Sequence, residues 1–358
     1  MPRIEERSTS DWLRLLTALP GVPGHEEPAA LEIGKAFRRF ADRVERDRAG
    51  NVLGWIEGKA DAPRPRALVA AHMDRIGFLV RAIEAGGFLR ITEVGGFDLR
   101  TLLGKEVTIH SSPPIPALFA TKPPHLQKRG ESERVPAIED LYLDTGRPEA
   151  EVRRRVPIGT PVTLRQPPVD LVSGRLAAPA MDDRAGIAVL LGILESLRSE
   201  RPFWDVVAAA TVEEEFGVLC RGARNASEAL DPQLGIAIDV THGDMPGARE
   251  GDAFPLGGGP SLTVGANIHP MLFEGLRRSA RQLSIPFAVE AWVDSATDAM
   301  DIQIARQGIP TAVVGIPCRY MHTGVEMVDP KDVDRTARMI AHFLATLPAS
   351  WRAAEVLK

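Results

Sequence analysis

Apolar positions along the chain fall into two rhythms that predict two kinds of element. Trp12, Leu15, Leu16 and Leu19 recur at helical spacing, which predicts a helix starting after Ser10 and stopping at Pro20-Gly21. Ala30, Ile33, Phe37 and Phe40 repeat that spacing with Arg38, Arg39 and Arg43 on the wet side, a second helix. Extended pieces are predicted from Asn51 to Ile56 and from Ala67 to Ala71, with Gly and Pro punctuation between them.

Between Gly77 and about Gln166 the texture changes. The stretches Phe88 to Val94 and Lys105 to His110 alternate like half-exposed strands. A Pro-rich stretch from Ser112 to Pro136 follows; its prolines at 113, 114, 116, 123, 124 and 136 argue against helix and read as one long loop, functional or interfacial. From Leu171 onward helices and buried strands alternate. Ile187, Leu190, Leu191, Leu194 and Leu197 mark one helix, Leu272, Leu276 and Leu283 another, and Val333, Ala337, Ile340, Ala341, Leu344 and Leu347 a closing one. This is α/β winding interrupted by an inserted β module. The expected organisation is a discontinuous α/β domain, residues 1–76 and 167–358, with residues 77–166 inserted as a β domain.

The length of 358 residues suits one large domain with an insertion, and 44% hydrophobic with 25% charged residues is ordinary for a globular protein. A net charge of -5 gives no basic footprint for nucleic acid or anionic membrane. The first residues show no export signal and no stretch reaches the roughly twenty apolar residues of a membrane span, so a soluble, cytoplasmic protein is expected. Cys220 and Cys318 lack any Cys-x-x-Cys spacing, which disfavours a disulfide framework or a thiolate zinc site.

Several apolar runs end in residues that bind metals or move protons. Leu68 to Ala71 leads into His72, Val206 to Val212 into Glu213-Glu214-Glu215, and Gly235 to Ile238 into Asp239; Thr311 to Ile316 has His322 six residues beyond. Buried parallel strands read as such runs, and ligands collect beyond their carboxyl ends. Each residue has a plainer reading. A lone His after a strand is commonly a satisfied core or surface residue, Asp182-Asp183 could cap the helix of Ile187 and Leu190, Glu213 to Glu215 could be a solvated run, and strand-end Asp residues cap turns. The context weighs against these. Asp74, two residues after His72, can take the second imidazole N–H of a metal-bound histidine. Apolar Pro179-Ala180-Met181 brings Asp182-Asp183 beside the sheet, and three acids after a buried strand need a cation partner or a raised pKa. Carboxylates and imidazoles without cysteine suit two divalent cations, zinc, cobalt or manganese, with one Glu of the triplet spare as general base.

These residues closely resemble the TET-type (tetrahedral) aminopeptidases, the group that includes glutamyl and deblocking aminopeptidases. The likeness runs from Leu19-Pro20-Gly21-Val22-Pro23-Gly24-His25-Glu26-Glu27 through Ala71-His72-Met73-Asp74-Arg75-Ile76-Gly77 and Lys122-Pro123-Pro124-His125. It continues in Met181-Asp182-Asp183-Arg184-Ala185-Gly186, Glu213-Glu214-Glu215-Phe216-Gly217 and Ala237-Ile238-Asp239-Val240-Thr241, and ends with Ala296-Thr297-Asp298-Ala299 and Arg319-Tyr320-Met321-His322. The resemblance implies an α/β fold, a mixed, largely parallel sheet flanked by helices, with an inserted small β-barrel-like domain. It implies Asp182 as a ligand bridging two metals, His72 and Asp239 completing one, Glu215 and His322 the other, and Glu214 as the base. Asp74 would orient His72, and Asp183 would follow a cis peptide that positions the bridge.

The function so implied is a cytoplasmic dinuclear metallo-aminopeptidase that trims short peptides, as a homo-oligomer that could be a tetrahedral dodecamer, with zinc or cobalt ahead of manganese. Three departures bear on side-chain preference: a loop Gly217 to Ala223 two residues longer than usual, Thr323-Gly324 where Ser-Pro usually follows the histidine, and Gly257-Gly258-Gly259-Pro260 without a lysine. Rival readings are a metal-dependent deacylase of N-acyl amino acids, a hydrolase of the endoglucanase-labelled kind, and a catalytically silent peptide-binding homologue.

Overall fold

The structure is a computed structural model describing residues 7–127, 133–217, 219–249, 251–292 and 297–351. The chain opens with helices α1 (Thr9–Thr17) and α2 (Glu27–Phe37) and strands β1 (Arg43–Arg46), β2 (Val52–Ile56) and β3 (Arg66–His72). Strands β4 (Gly77–Ile83), β5 (Leu89–Val94), β6 (Glu106–Ile109), β7 (Ile115–Thr121), β8 (Leu141–Asp144) and β9 (Pro161–Leu164) follow, with α3 (Glu149–Arg155) before the last. The short β10 (Val169–Asp170) and β11 (Leu176–Ala177) lead to α4 (Met181–Ser199), β12 (Asp205–Thr211), α5 (Arg221–Leu230) and β13 (Leu234–His242). The remainder is β14 (Ser261–Val264), α6 (Pro270–Gln282), β15 (Ala288–Ala291), α7 (Ala299–Gln303), β16 (Thr311–Cys318), β17 (Met327–Val328) and α8 (Pro330–Thr346).

Helix α1 begins earlier than its apolar spacing alone predicts because Ser8 caps it. The Ser8 hydroxyl accepts the Asp11 N–H at 3.2 Å while the Asp11 carboxylate accepts the Ser8 N–H at 3.1 Å, a reciprocal capping box. Helix α2 ends at Phe37, and Phe40 packs on the core from beyond its end.

One sheet holds eight strands in the order β1-β2-β12-β3-β13-β16-β14-β15, and its four central strands, β12, β3, β13 and β16, run parallel. Along β3, Ala67, Val69 and Ala71 pack with helices α1, α2, α4 and α8 on one face, while Leu68 and Ala70 pack with α5 and α7 on the other. Both faces are therefore apolar, which is why these strands read as unbroken hydrophobic runs. Polar groups are left to the strand ends.

Strands β4-β5-β8-β7-β6-β9 close into an antiparallel barrel with its own core, in which Phe78 stacks on Phe97 at 4.5 Å and meets Phe119 edge-on at 5.1 Å. The Pro-rich stretch expected to be one loop contains strand β7. Ile115, Ala117 and Phe119 point into the barrel while Pro116 and Leu118 face out. Pro116 lies outside the residues of β7 that pair with β8, Leu118 to Thr121, so its missing N–H falls where a ladder bond is not required. Among the described residues, no helix is long and apolar enough to cross a membrane.

Candidate metal centre

The parallel register brings the predicted residues to one place. His72 ends β3 beside Thr211, the last residue of β12, so Glu214 and Glu215 leave the sheet next to it. Asp239 lies on β13, whose parallel pairing with β3 through Ala237 sets it near the same end. Asp182 and Asp183 precede the regular turns of α4; the peptide between them is cis and both have non-helical backbone angles. His322 comes from the loop after β16 and adopts a positive φ of 60°.

Asp182 is the centre of the cluster. Its Oδ1 is 3.0 Å from His72 Nε2, and its Oδ2 is 3.5 Å from His322 Nε2, so each oxygen serves a different imidazole. His72 Nε2 stands 3.7 Å from Asp239 Oδ1 and His322 Nε2 stands 3.6 Å from Glu215 Oε2. Donors bonded at 2.0–2.2 Å to one tetrahedral zinc-like ion would lie about 3.4 Å apart, and three of these four separations are too long for good hydrogen bonds. Two overlapping groups of donors lie within 4.8 Å of one another, His72 with Asp182 and Glu215, and His72 with Asp183 and Asp239. The set fits divalent cations, and Glu215 Oε1 and Asp183 Oδ2 are buried without a hydrogen-bond partner.

Electrostatics leads the same way. Burial, reinforced by neighbouring carboxylates, pushes Asp183, Glu214 and Glu215 well above the usual carboxylate range and raises Asp239 too. Burial would raise Asp182 as well, but the hydrogen-bonding imidazoles of His322 and His72 hold it low. Burial works to lower His72, yet Asp182, Asp239 and Asp74 together lift it well above its ordinary value. So many acids around two imidazoles leave a negative excess that cations would relieve.

The three acids after β12 take separate paths. Glu213 turns through a positive φ of 58° and pairs with Arg221, away from the cluster. Glu214 Oε2 is 4.0 Å from His72 Nε2, and its other oxygen accepts from the buried Cys220 thiol at 3.9 Å. Asp74 is fully buried 3.5 Å from His72 Nδ1, longer than a hydrogen bond, and accepts instead the N–H groups of Glu214 at 3.2 Å and Glu215 at 2.9 Å. It thus fixes the backbone from which both acids project.

Other residues of the site had no signal in the hydrophobic pattern. Glu326 is fully buried and accepts the N–H of Asp182 and of His322, both at 3.1 Å, tying together two segments of the cluster; burial beside Asp182 raises it to about 8. Asp298, within a motif of the resemblance but given no role, accepts the Thr211 hydroxyl at 2.6 Å, and burial raises it to about 7. Gly95, between β5 and β6, has a φ of +75°; an added Cβ would stand 2.4 Å from Ile76 and 3.3 Å from Glu215, so only glycine lets the barrel come this close. The cluster opens into a cavity of about 760 Å³ bounded on the barrel side by Glu93 to Gly96.

A family model described as M42 glutamyl aminopeptidase matches residues 50–339. A lysyl aminopeptidase of Pyrococcus furiosus is 34% identical over 346 residues, 94% of this chain and 97% of the relative. Among solved structures, a TET aminopeptidase from a marine sediment archaeon of the Thaumarchaeota superposes with a TM-score of 0.90 at 28% identity, covering 98% of this chain and 99% of the other. A Pyrococcus horikoshii TET1 peptidase, described as able to assemble into a tetrahedron or a large octahedral shell, gives 0.83 at 26% identity, covering 95% and 100%.

Proposed function

The chain belongs to the M42 glutamyl aminopeptidase family, and from that premise we propose that it removes single residues from the amino ends of short peptides using two divalent cations. The observation that carries the reading is the split carboxylate of Asp182, one oxygen facing His72 and the other His322. Asp182 would bridge the two ions, with His72 and Asp239 completing one set and Glu215 and His322 the other. Asp183 supports the bridge from beneath, its Oδ1 accepting the Gly186 N–H at 2.8 Å.

Two cations bound there would supply Lewis acidity, to polarise a scissile carbonyl and make the attacking water more acidic. Glu214, the acid left off the ligand set, takes the proton of the attacking water and returns it to the leaving amine nitrogen. Asp74 positions Glu214 and Glu215 through their N–H groups and stands behind His72. Residues 77–166 form the inserted unit, and with the known assemblies of TET relatives in view it serves a homo-oligomer, a tetrahedral dodecamer among the candidates. Zinc or cobalt suits the donor set best, with manganese third.

The test is metal removal. Exhaustive chelation should abolish hydrolysis of aminoacyl reporter substrates, and zinc or cobalt should restore it. Activity indifferent to thorough metal removal would count against the two-cation reading, and no aminoacyl hydrolysis with any metal would count against the aminopeptidase.

A further inference from the structure

Two acids in the cavity wall, Glu93 and Glu290, have no part in the mechanism above, and Glu290 is the one held by side chains of the sheet. Glu290, half-buried on β15, lines the same cavity as the metal cluster. Its Oε1 accepts the Thr241 hydroxyl at 2.7 Å and its Oε2 the Ser261 hydroxyl at 2.9 Å. These two donors come from different strands, β13 and β14, so the carboxylate is held at both ends.

Its position relative to the reacting centre follows from strand geometry. Thr241 is two residues beyond Asp239 on β13 and therefore on the same face, roughly 7 Å further along. Gly315 lies opposite Asp239 on β16, and a Cβ there would stand 2.3 Å from Ser261 Oγ and 2.9 Å from Thr241 Cβ. The absence of a side chain at Gly315 is what lets Ser261, Thr241 and Glu290 meet beside the cluster.

The charge of Glu290 is oriented but not answered. Both donors are neutral hydroxyls, and no lysine or arginine is among the described residues lining the cavity. The cavity wall also carries apolar Val313, Met321 and Trp292. An apolar wall that ends in a fixed carboxylate matches an aliphatic stem with a cationic tip. The along-strand spacing of roughly 7 Å between Asp239 and Thr241, which holds Glu290, is comparable to the reach of four methylenes and an ammonium.

We propose that Glu290 is a specificity-determining residue that selects peptides with lysine or arginine at the amino end by receiving the cationic tip of that side chain. The inference rests on the aminopeptidase reading. A glutamyl side chain would meet a like charge at the same point and is excluded.

The experiment compares kcat/KM of the metal-loaded enzyme for lysyl, arginyl, norleucyl and glutamyl p-nitroanilides. Norleucine carries the same four-carbon stem without the ammonium, so the lysyl-to-norleucyl ratio isolates the charge. The expected ratio is roughly 10 to 100, and Glu290→Gln should bring it down by about that factor. Thr241→Val, which removes one of the orienting hydroxyls, should lower the ratio by less and serves if Glu290→Gln does not fold. Calorimetric binding of lysine amide against norleucine amide should move in parallel. A wild-type ratio near one, a ratio unmoved by Glu290→Gln, or a ratio that collapses in Glu93→Gln instead would overturn the assignment. Turnover without charge preference defeats only this inference; no turnover of any aminoacyl substrate defeats the aminopeptidase reading and this inference with it.

Discussion

In the barrel Glu84, Asp98, Glu149 and Glu151 each face an arginine, at 2.9, 2.6, 2.7 and 3.0 Å, whereas at the carboxyl end of the sheet Asp183, Glu214, Glu215 and Asp239 face one another and two imidazoles. The consequences are opposite. The arginine hydrogen bonds hold the barrel acids below the usual carboxylate range, while burial raises those of the site. Glu93 is the informative exception, a barrel acid raised by burial, and it is the one that lines the cavity. The barrel's carboxylates are dressed for water, and those at the sheet end are arranged for a ligand with positive charge.

If that contrast is right, the largest effect of a single charge-removing change should come from an acid with no cation of its own. Glu214→Gln keeps the shape of the side chain and removes its basicity, so kcat should fall by about 10² to 10⁴ while metal content is unchanged. Near-normal turnover in a protein that still carries its metals would place the base elsewhere. The barrel should answer to packing instead. Phe119 is buried against Phe78, and Phe119→Ala should cost about 3–5 kcal/mol in denaturant titration. A loss much below that would mean the barrel core tolerates a cavity that a tightly packed one does not.

A smaller effect tests whether the site's geometry depends on groups that touch no substrate. In Asp74→Asn one acceptor oxygen becomes a donor facing the N–H groups of Glu214 and Glu215. Metal affinity measured by calorimetry should weaken by about 10- to 100-fold. Unchanged affinity would reduce Asp74 to a packing role.

Legibility in the sequence divides along the same line. The central strands could be read because burial on both faces makes them unbroken apolar runs, and an acid or histidine at the end of such a run stands out. His72, Asp182, Glu214, Glu215, Asp239 and His322 were all picked out in this way or through the family resemblance, and the structure brings them together. The barrel is less legible, since its strands show only alternation and Pro116 interrupts the pattern of β7. Strand β14 and the edge strand β15 are four residues each, too short and mixed to register, and no local pattern marks Glu290. Glu326 sits in a polar loop with no apolar run before it, so only its hydrogen bonds to the Asp182 and His322 backbones reveal it. The link from Asp74 to the Glu214-Glu215 backbone spans some 140 positions of sequence, and no local pattern can encode it.

The smallest effect expected lies among the half-buried barrel pairs. Glu151 accepts hydrogen bonds from Arg155 and Arg147 and so has a folded-state pKa below its ordinary value of 4.5. A group lowered by folding contributes stability above its unfolded pKa and loses it as pH falls through the lowered one. The group is half-buried and still reached by solvent and salt, so the contribution is slight. The urea midpoint of the wild type should fall between pH 6 and pH 3 by marginally more than that of Glu151→Gln, and the difference should shrink in high salt. A large drop confined to the wild type would mean that Glu151 behaves as a buried charge. The sheet end would then not be the only part of the molecule where a carboxylate depends on a specific cation.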